Sequence, residues 1–159
     1  MHYGFKEVIS YYVNNGSSVY RTLLDATKAF DRVQCGKLFR GLLDRKLPIA
    51  CIRLLANMYT RHVTRVSWNC VCSNRFLVKN CVKEGSVLSP ILFCLYLDGL
   101  LAILAESNVG CFIGTWYFGA LACADDIALL APSARAMRLM LKICDEYADG
   151  FDIVFNAKK

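Results

Sequence analysis

The chain is poor in the residues that build small stapled folds: three prolines, two histidines and no Cys-x-x-Cys pair occur in 159 residues. The nine cysteines (Cys35, Cys51, Cys70, Cys72, Cys81, Cys94, Cys111, Cys123, Cys144) stand singly, and only His2 and His62 could join them, which argues against a zinc centre. Residues 1–13 are amphipathic, with no apolar core of a secretory leader. An odd cysteine count without a leader reads as free thiols in a reducing compartment, nucleus or cytoplasm, of a protein that is not secreted. Repeats, low-complexity tracts and linkers are absent too, so one domain is expected over residues 1–159.

Charge is also scarce, at 20% of residues, whereas apolar residues reach 56% and the mean hydropathy is +0.36. That balance calls for a membrane or for surfaces that meet missing partners. Residues 87–105 are nearly long enough to span a bilayer, but Pro90 near the start and Asp98 near the middle favour a buried helix with Ser89 as its N-cap, and no membrane partner. The formal charge of +6 permits a nucleic-acid partner without requiring one.

Apolar periodicity predicts a helix over residues 3–12, stopped at Asn14-Asn15-Gly16. Residues 19–24 read as a buried strand ending at Asp25. Two helices follow, over 31–43 and 49–59, broken at Pro48, with Asp31 as the cap of the first. Strands over 63–68 and 75–78 with a polar turn, a loop at 83–86 and the Pro90 helix come next. Residues 111–113 and 116–124 form a β pair around Gly114-Thr115; Pro132-Ser133 opens a helix over 134–147, and 151–155 reads as a closing strand. This order predicts an α+β fold with antiparallel hairpins.

The sharpest feature is Asp125-Asp126, two acids inside an apolar stretch from Ala120 to Ala131. Flanked by strand formers, they belong at the tip of a hairpin. If that hairpin neighbours the strand ending at Asp25, three carboxylates converge. Like charges so close force protonation unless divalent cations join them. Two Mg²⁺ ions roughly 3.5–4 Å apart, held by hard oxygens, would clamp the attacking and leaving oxygens of phosphoryl transfer.

The words around these acids are more specific. Leu24-Asp25-Ala26-Thr27-Lys28-Ala29-Phe30-Asp31-Arg32-Val33 resembles the first catalytic block of non-LTR retrotransposon reverse transcriptases. Val82-Lys83-Glu84-Gly85-Ser86-Val87-Leu88-Ser89-Pro90-Ile91-Leu92-Phe93 resembles the second, and Ala124-Asp125-Asp126-Ile127 the third. Phe155-Asn156-Ala157-Lys158-Lys159 is similar to the start of the fourth. The four blocks cover the chain from Val19 onward in the family's order.

The resemblance implies a polymerase palm, an antiparallel sheet with helices packed on one face and remnants of the fingers at its flanks. It implies an RNA-directed DNA polymerase using two Mg²⁺ ions, or Mn²⁺, with an RNA template, a DNA primer and deoxynucleoside triphosphates as partners. Asp25 and Asp125 would be the principal metal ligands, supported by Asp126. Backbone amides from Ala26 to Phe30 would line the triphosphate, and Phe30 would sit under the sugar to exclude a 2′-hydroxyl. Glu84 and Gly85 would lie along the substrate, and Lys159 near the leaving pyrophosphate. Most of the fingers and the whole thumb are expected to be missing.

Two positions depart from the pattern. Glu84 replaces the family's Gln, and a carboxylate roughly 6 Å from a triphosphate costs about 3 kcal/mol at an effective dielectric near 20. Cys123 replaces a Tyr or Phe, removing a ring that packs near the end of the growing strand. Both suggest an impaired copy. Two other classes stay open: a non-catalytic remnant that binds nucleic acid or protein, and a small membrane-associated protein.

Overall fold

The run Ile127-Ala128-Leu129-Leu130-Ala131 is buried at every position, which requires a strand covered on both faces. The computed structural model describes residues 2–60, 63–78, 81–82, 85–123 and 126–156. Their elements are α1 (His2–Asn14), β1 (Tyr20–Ala26), α2 (Cys35–Asp44), α3 (Ile49–Thr60), β2 (Val63–Thr64), β3 (Ser67–Trp68), β4 (Val71–Cys72) and β5 (Phe76–Leu77). After these come α4 (Ser89–Glu106), β6 (Phe112–Ile113), β7 (Trp116–Tyr117), β8 (Ala120–Cys123), β9 (Asp126–Ala131), α5 (Ala134–Phe151) and β10 (Phe155–Asn156).

The central sheet has the order β10-β1-β9-β8, with every pairing antiparallel. Alternation along β9 sends Ile127, Leu129 and Ala131 into the main core with α2, α4 and α5. Ala128 and Leu130 point the other way, onto Phe5 and Val8 of α1 and onto Cys111. Three helices therefore line one face, and α1 covers part of the opposite one. The Tyr12 hydroxyl ties α1 to that face, donating to the Phe112 carbonyl at 2.9 Å and accepting from the Phe112 amide at 2.8 Å.

Local chemistry explains several boundaries. Ser133 caps α5, its hydroxyl accepting from the Ala136 amide at 3.1 Å. The helix runs on to Phe151 and ends on Asp152 in a left-handed conformation, so the strand expected over 151–155 shrinks to Phe155–Asn156. Phe151 is held in the helix by stacking on Tyr147 at 4.1 Å, and its carbonyl accepts the Tyr96 hydroxyl at 2.7 Å. Tertiary packing outweighs strand propensity there.

Other expectations are corrected. The cap expected of Asp31 is not formed: α2 starts at Cys35, with Gln34 in the cap position and no side-chain cap bond. Residues 27–32 form turns instead, beginning with Lys28 at φ +50°. Ser89 is not the cap of α4 either; Leu88 holds that place, and Ser89 is the buried first residue of the helix. β1 is not buried throughout, since Tyr20 and Leu23 are about half exposed. The return strand of the 63–78 hairpin does not wait until residue 75; it begins at Val71, because Asn69 and Cys70 make the turn with positive φ.

A disulfide joins Cys35 and Cys81, with Cα atoms 5.2 Å apart, which corrects the expectation that all nine cysteines are thiols. α4 is the one helix among the described residues long and apolar enough to cross a membrane. Its apolar surface instead feeds the core through Leu92, Phe93, Tyr96, Leu97, Leu100 and Leu104. Asp98, the acid inside that run, pairs with Arg45 after α2. Tyr117 lies over Gly119, where an added Cβ would come within 2.5 Å of its ring. Its buried hydroxyl finds no hydrogen-bond partner among the described residues, and burial pushes its pKa well up.

Candidate active site

β1 carries Asp25 one residue from its end, and β9 begins with Asp126. The register sets Asp25 directly across from Asp126 on one side and from Asn156 on the other. Residues opposite each other in adjacent strands project to the same face, with Cβ atoms ~4.5–5.5 Å apart. Asp25 is half-buried and Asp126 exposed. Leu24 and Ala26, which flank Asp25, turn the other way into the helix-backed core. The two carboxylates thus open away from α2, α4 and α5.

Cys123 of β8 pairs with Asp126, so positions 124 and 125 join the two strands. Asp125 itself lies outside the described residues, as do Glu84 and Lys159. Two adjacent carboxylates cost energy unless a cation lies between them, and their hard oxygens suit Mg²⁺ or Mn²⁺. On that donor chemistry, the residues present fit a divalent ion.

Past β1 the chain turns at once. Ala26 is buried and pairs with Phe155, and the Thr27 amide donates to the Val154 carbonyl at 2.8 Å. That bond removes Thr27 from the set of amides expected to face phosphate. The amides of Lys28, Ala29 and Phe30 meet no backbone acceptor among the described residues. Phe30 is half-buried, edge-on to Phe93 in the first turns of α4 with ring centroids 5.5 Å apart. The first and second sequence blocks therefore touch through two rings, and the Cys35–Cys81 bond joins their flanks. Gly85 is exposed at φ +77°, a conformation that a side chain would strain.

Sequence reasoning overlooked Asn156 as a neighbour of Asp25 and Phe93 as the support of Phe30. The first is set by strand order and the second by helix docking, neither of which has a local signal. The asparagine of the fourth block was the one available hint.

A sheet ordered β10-β1-β9-β8, acids at one end and helices behind, is the arrangement of a polymerase palm. The chain belongs to the reverse transcriptase (RNA-dependent DNA polymerase) family, whose model matches residues 2–159, and is of the non-LTR retrotransposon kind. It is 30% identical over 142 residues to the retrovirus-related Pol polyprotein from type-2 retrotransposable element R2DM of Drosophila melanogaster, covering 89% of this chain and 13% of that protein. It is 32% identical over 123 residues to the corresponding polyprotein of type-1 retrotransposable element R2 of Nasonia vitripennis, covering 77% of this chain and 12% of that one. The chain thus spans about an eighth of the length of these relatives. Among solved structures, telomerase from Candida albicans, in complex with a fragment of telomeric RNA, shares the fold at a TM-score of 0.55 and 15% identity, over 98% of this chain and 30% of that one. Apo telomerase from Candida tropicalis gives the same score at 14% identity, over 98% and 32%.

Proposed function

We propose that this chain is the palm of an RNA-directed DNA polymerase, completed by fingers and thumb segments elsewhere in its parent polypeptide. The observation that carries the reading is the pairing of Asp25 with Asp126 at an open sheet end, in a chain that belongs to the reverse transcriptase family. Two Mg²⁺ ions, when bound, would supply charge neutralisation for the attacking and leaving oxygens of nucleotidyl transfer. Asp25, Asp125 and Asp126 would hold them. The amides of residues 28–30 receive triphosphate oxygens, as oriented N–H groups at a strand-to-helix turn can. Phe30, braced by Phe93, meets the sugar of the incoming deoxynucleotide. Gly85 lets the backbone approach the substrate, and the resemblance of the fourth block assigns Lys159 to the leaving pyrophosphate. An RNA template and a DNA primer are the macromolecular partners.

In the complete polypeptide, Asp25→Asn should lower primer extension on an RNA template roughly a thousandfold, the equivalent of about 4 kcal/mol of lost charge stabilisation. Extension at the parental rate would reject the assignment. For the 159-residue chain, Mg²⁺ or Mn²⁺ should raise the melting temperature, and the same substitution should abolish the shift.

A second reading concerns this copy's competence. Glu84 and Cys123 stand where the family has an amide and an aromatic ring, so the active site is impaired. Restoring Gln and Tyr together in the complete polypeptide should raise extension at least about tenfold, the size of a partly screened charge penalty. An unchanged rate would remove this reading and leave the first intact.

A further inference from the structure

Sulfur in this chain occurs in two states. Cys51, Cys70 and Cys72 are exposed free thiols, whereas Cys35 and Cys81 are joined, with Cα atoms 5.2 Å apart. One disulfide beside three exposed thiols is the pattern of reducing surroundings, where a disulfide is ordinarily transient and exchanges.

The two bonded residues differ in their surroundings. Cys81 is completely buried, as is its neighbour Val82, whereas Cys35 is half-buried. A thiolate from solvent therefore reaches the bond on the Cys35 side. Cys35 is also the first residue of α2, a helix of 10 residues whose cap residue, Gln34, makes no side-chain cap bond. The amides that open the helix favour negative charge there, which raises the thiolate fraction of Cys35 and makes it a good leaving group.

Opening the bond leaves most of the packing in place. Leu38 and Leu42 keep the body of α2 in the core, and Arg32 pairs with Asp152 at 3.4 Å. What the bond holds is the uncapped first turn of α2 and the stretch over residues 27–34 that leads into it. That stretch has Lys28 at φ +50° and carries Phe30, whose ring lies against Phe93 of α4. Any effect on nucleotide binding rests on the proposed function, whereas the exchange site stands apart from it.

We propose that Cys35 and Cys81 form a reversible exchange site for a small thiol of the glutathione class, which sets how firmly the turn before α2 is held. The small thiolate attacks the Cys35 sulfur and a mixed disulfide forms there. Cys81 leaves as a thiolate and takes up the proton that the attacking thiol gave to solvent. A second small thiolate then attacks the small molecule's own sulfur in the mixed disulfide, releasing Cys35 as a thiolate. Two small thiols are thus oxidised to one small disulfide as the protein disulfide is reduced to two thiols, and the reverse sequence closes the bond.

The test uses glutathione on the 159-residue chain without metal or nucleotide, which keeps failure of the polymerase assignment from affecting the result. Acid quenching, alkylation and peptide mass spectrometry read the state of the bond. In the folded chain it should pass from about nine-tenths closed to about nine-tenths open as the ratio of squared reduced to oxidised glutathione rises about a hundredfold, and close again on return. In hydrogen exchange over seconds, the opened chain should take up deuterium about tenfold faster across residues 27–38, while the buried residues 127–131 stay protected. In Cys81→Ala, oxidised glutathione should modify Cys35 at least about fivefold faster than the exposed Cys72. A bond that resists millimolar reduced glutathione until urea unfolds the chain would be a structural staple and would overturn the proposal. So would opening that does not reverse, exchange across residues 27–38 that opening leaves unchanged, or modification of Cys72 ahead of Cys35. The first two measurements use the natural sequence and decide the proposal even where Cys81→Ala fails to fold.

Discussion

The β1–β9 pair and the β2–β5 hairpin are both antiparallel ladders rich in apolar residues, yet they treat those residues in opposite ways. In the first, six consecutive residue pairs from Tyr20↔Ala131 to Asp25↔Asp126 are backed by three helices, and residues 127–131 of β9 are buried. Each large side chain so buried contributes roughly 1.5–3 kcal/mol. In the second, Val63, Phe76 and Leu77 stay about half exposed, and the hairpin is held by a few backbone bonds and the Ser73 hydroxyl. The contrast separates two environments: Asp25 and Asp126 sit on a ladder fixed by the core, whereas the hairpin projects with its apolar side chains half exposed.

The Cys35–Cys81 bond marks the boundary between the two. α2, α3 and the hairpin all lie between the two cysteines in sequence; α2 and α3 pack into the core through Leu38, Leu42, Ile52 and Tyr59, and the hairpin projects from it.

The comparison is broken most severely from the core side. Phe93 is fully buried and supports Phe30, so Phe93→Ala should cost about 3–5 kcal/mol in urea unfolding. Val71→Ala in the exposed hairpin should stay within about 0.5 kcal/mol. Equal losses would mean that the hairpin belongs to the cooperative core.

A slightly smaller effect is expected at the disulfide. Opening the disulfide, by reductant or in Cys35→Ser/Cys81→Ser, releases a loop with a sequence separation of 46 and should cost roughly 3–4 kcal/mol. An unchanged melting temperature would show that the segment between the two cysteines needs no covalent anchor.

The smallest effect has the opposite sign. Tyr117→Phe removes a buried hydroxyl that lacks a partner among the described residues and keeps the ring over Gly119. It should stabilise the chain by about 1 kcal/mol or more. A lower melting temperature would show that the hydroxyl is satisfied in solution, for example by water.

Much of this architecture is legible in local sequence. Pro132-Ser133 announces α5 because a serine cap and a proline before it act within one turn. Asn14-Asn15-Gly16 ends α1 for a similar local reason. Asp25 and Asp126 can be placed at strand ends because strand formers run up to each of them. The boundaries that failed depend on distant partners. Ser89 enters the core instead of capping α4, and residues 151–154 stay outside the closing strand because Phe151 stacks on Tyr147 in the helix.

The sequence by itself determined the order of elements, the acids at the two strand ends and the apolar words that flank them, since each rests on periodicity and turn chemistry within a few residues. Only the tertiary structure decided that β1 lies between β9 and β10, which sets Asp25 beside both Asp126 and Asn156. Tertiary structure also paired Cys35 with Cys81. Strand order, disulfide partners and hairpin register are contacts between segments that any local pattern leaves unpaired, and they are fixed only when burial of the whole core selects one arrangement.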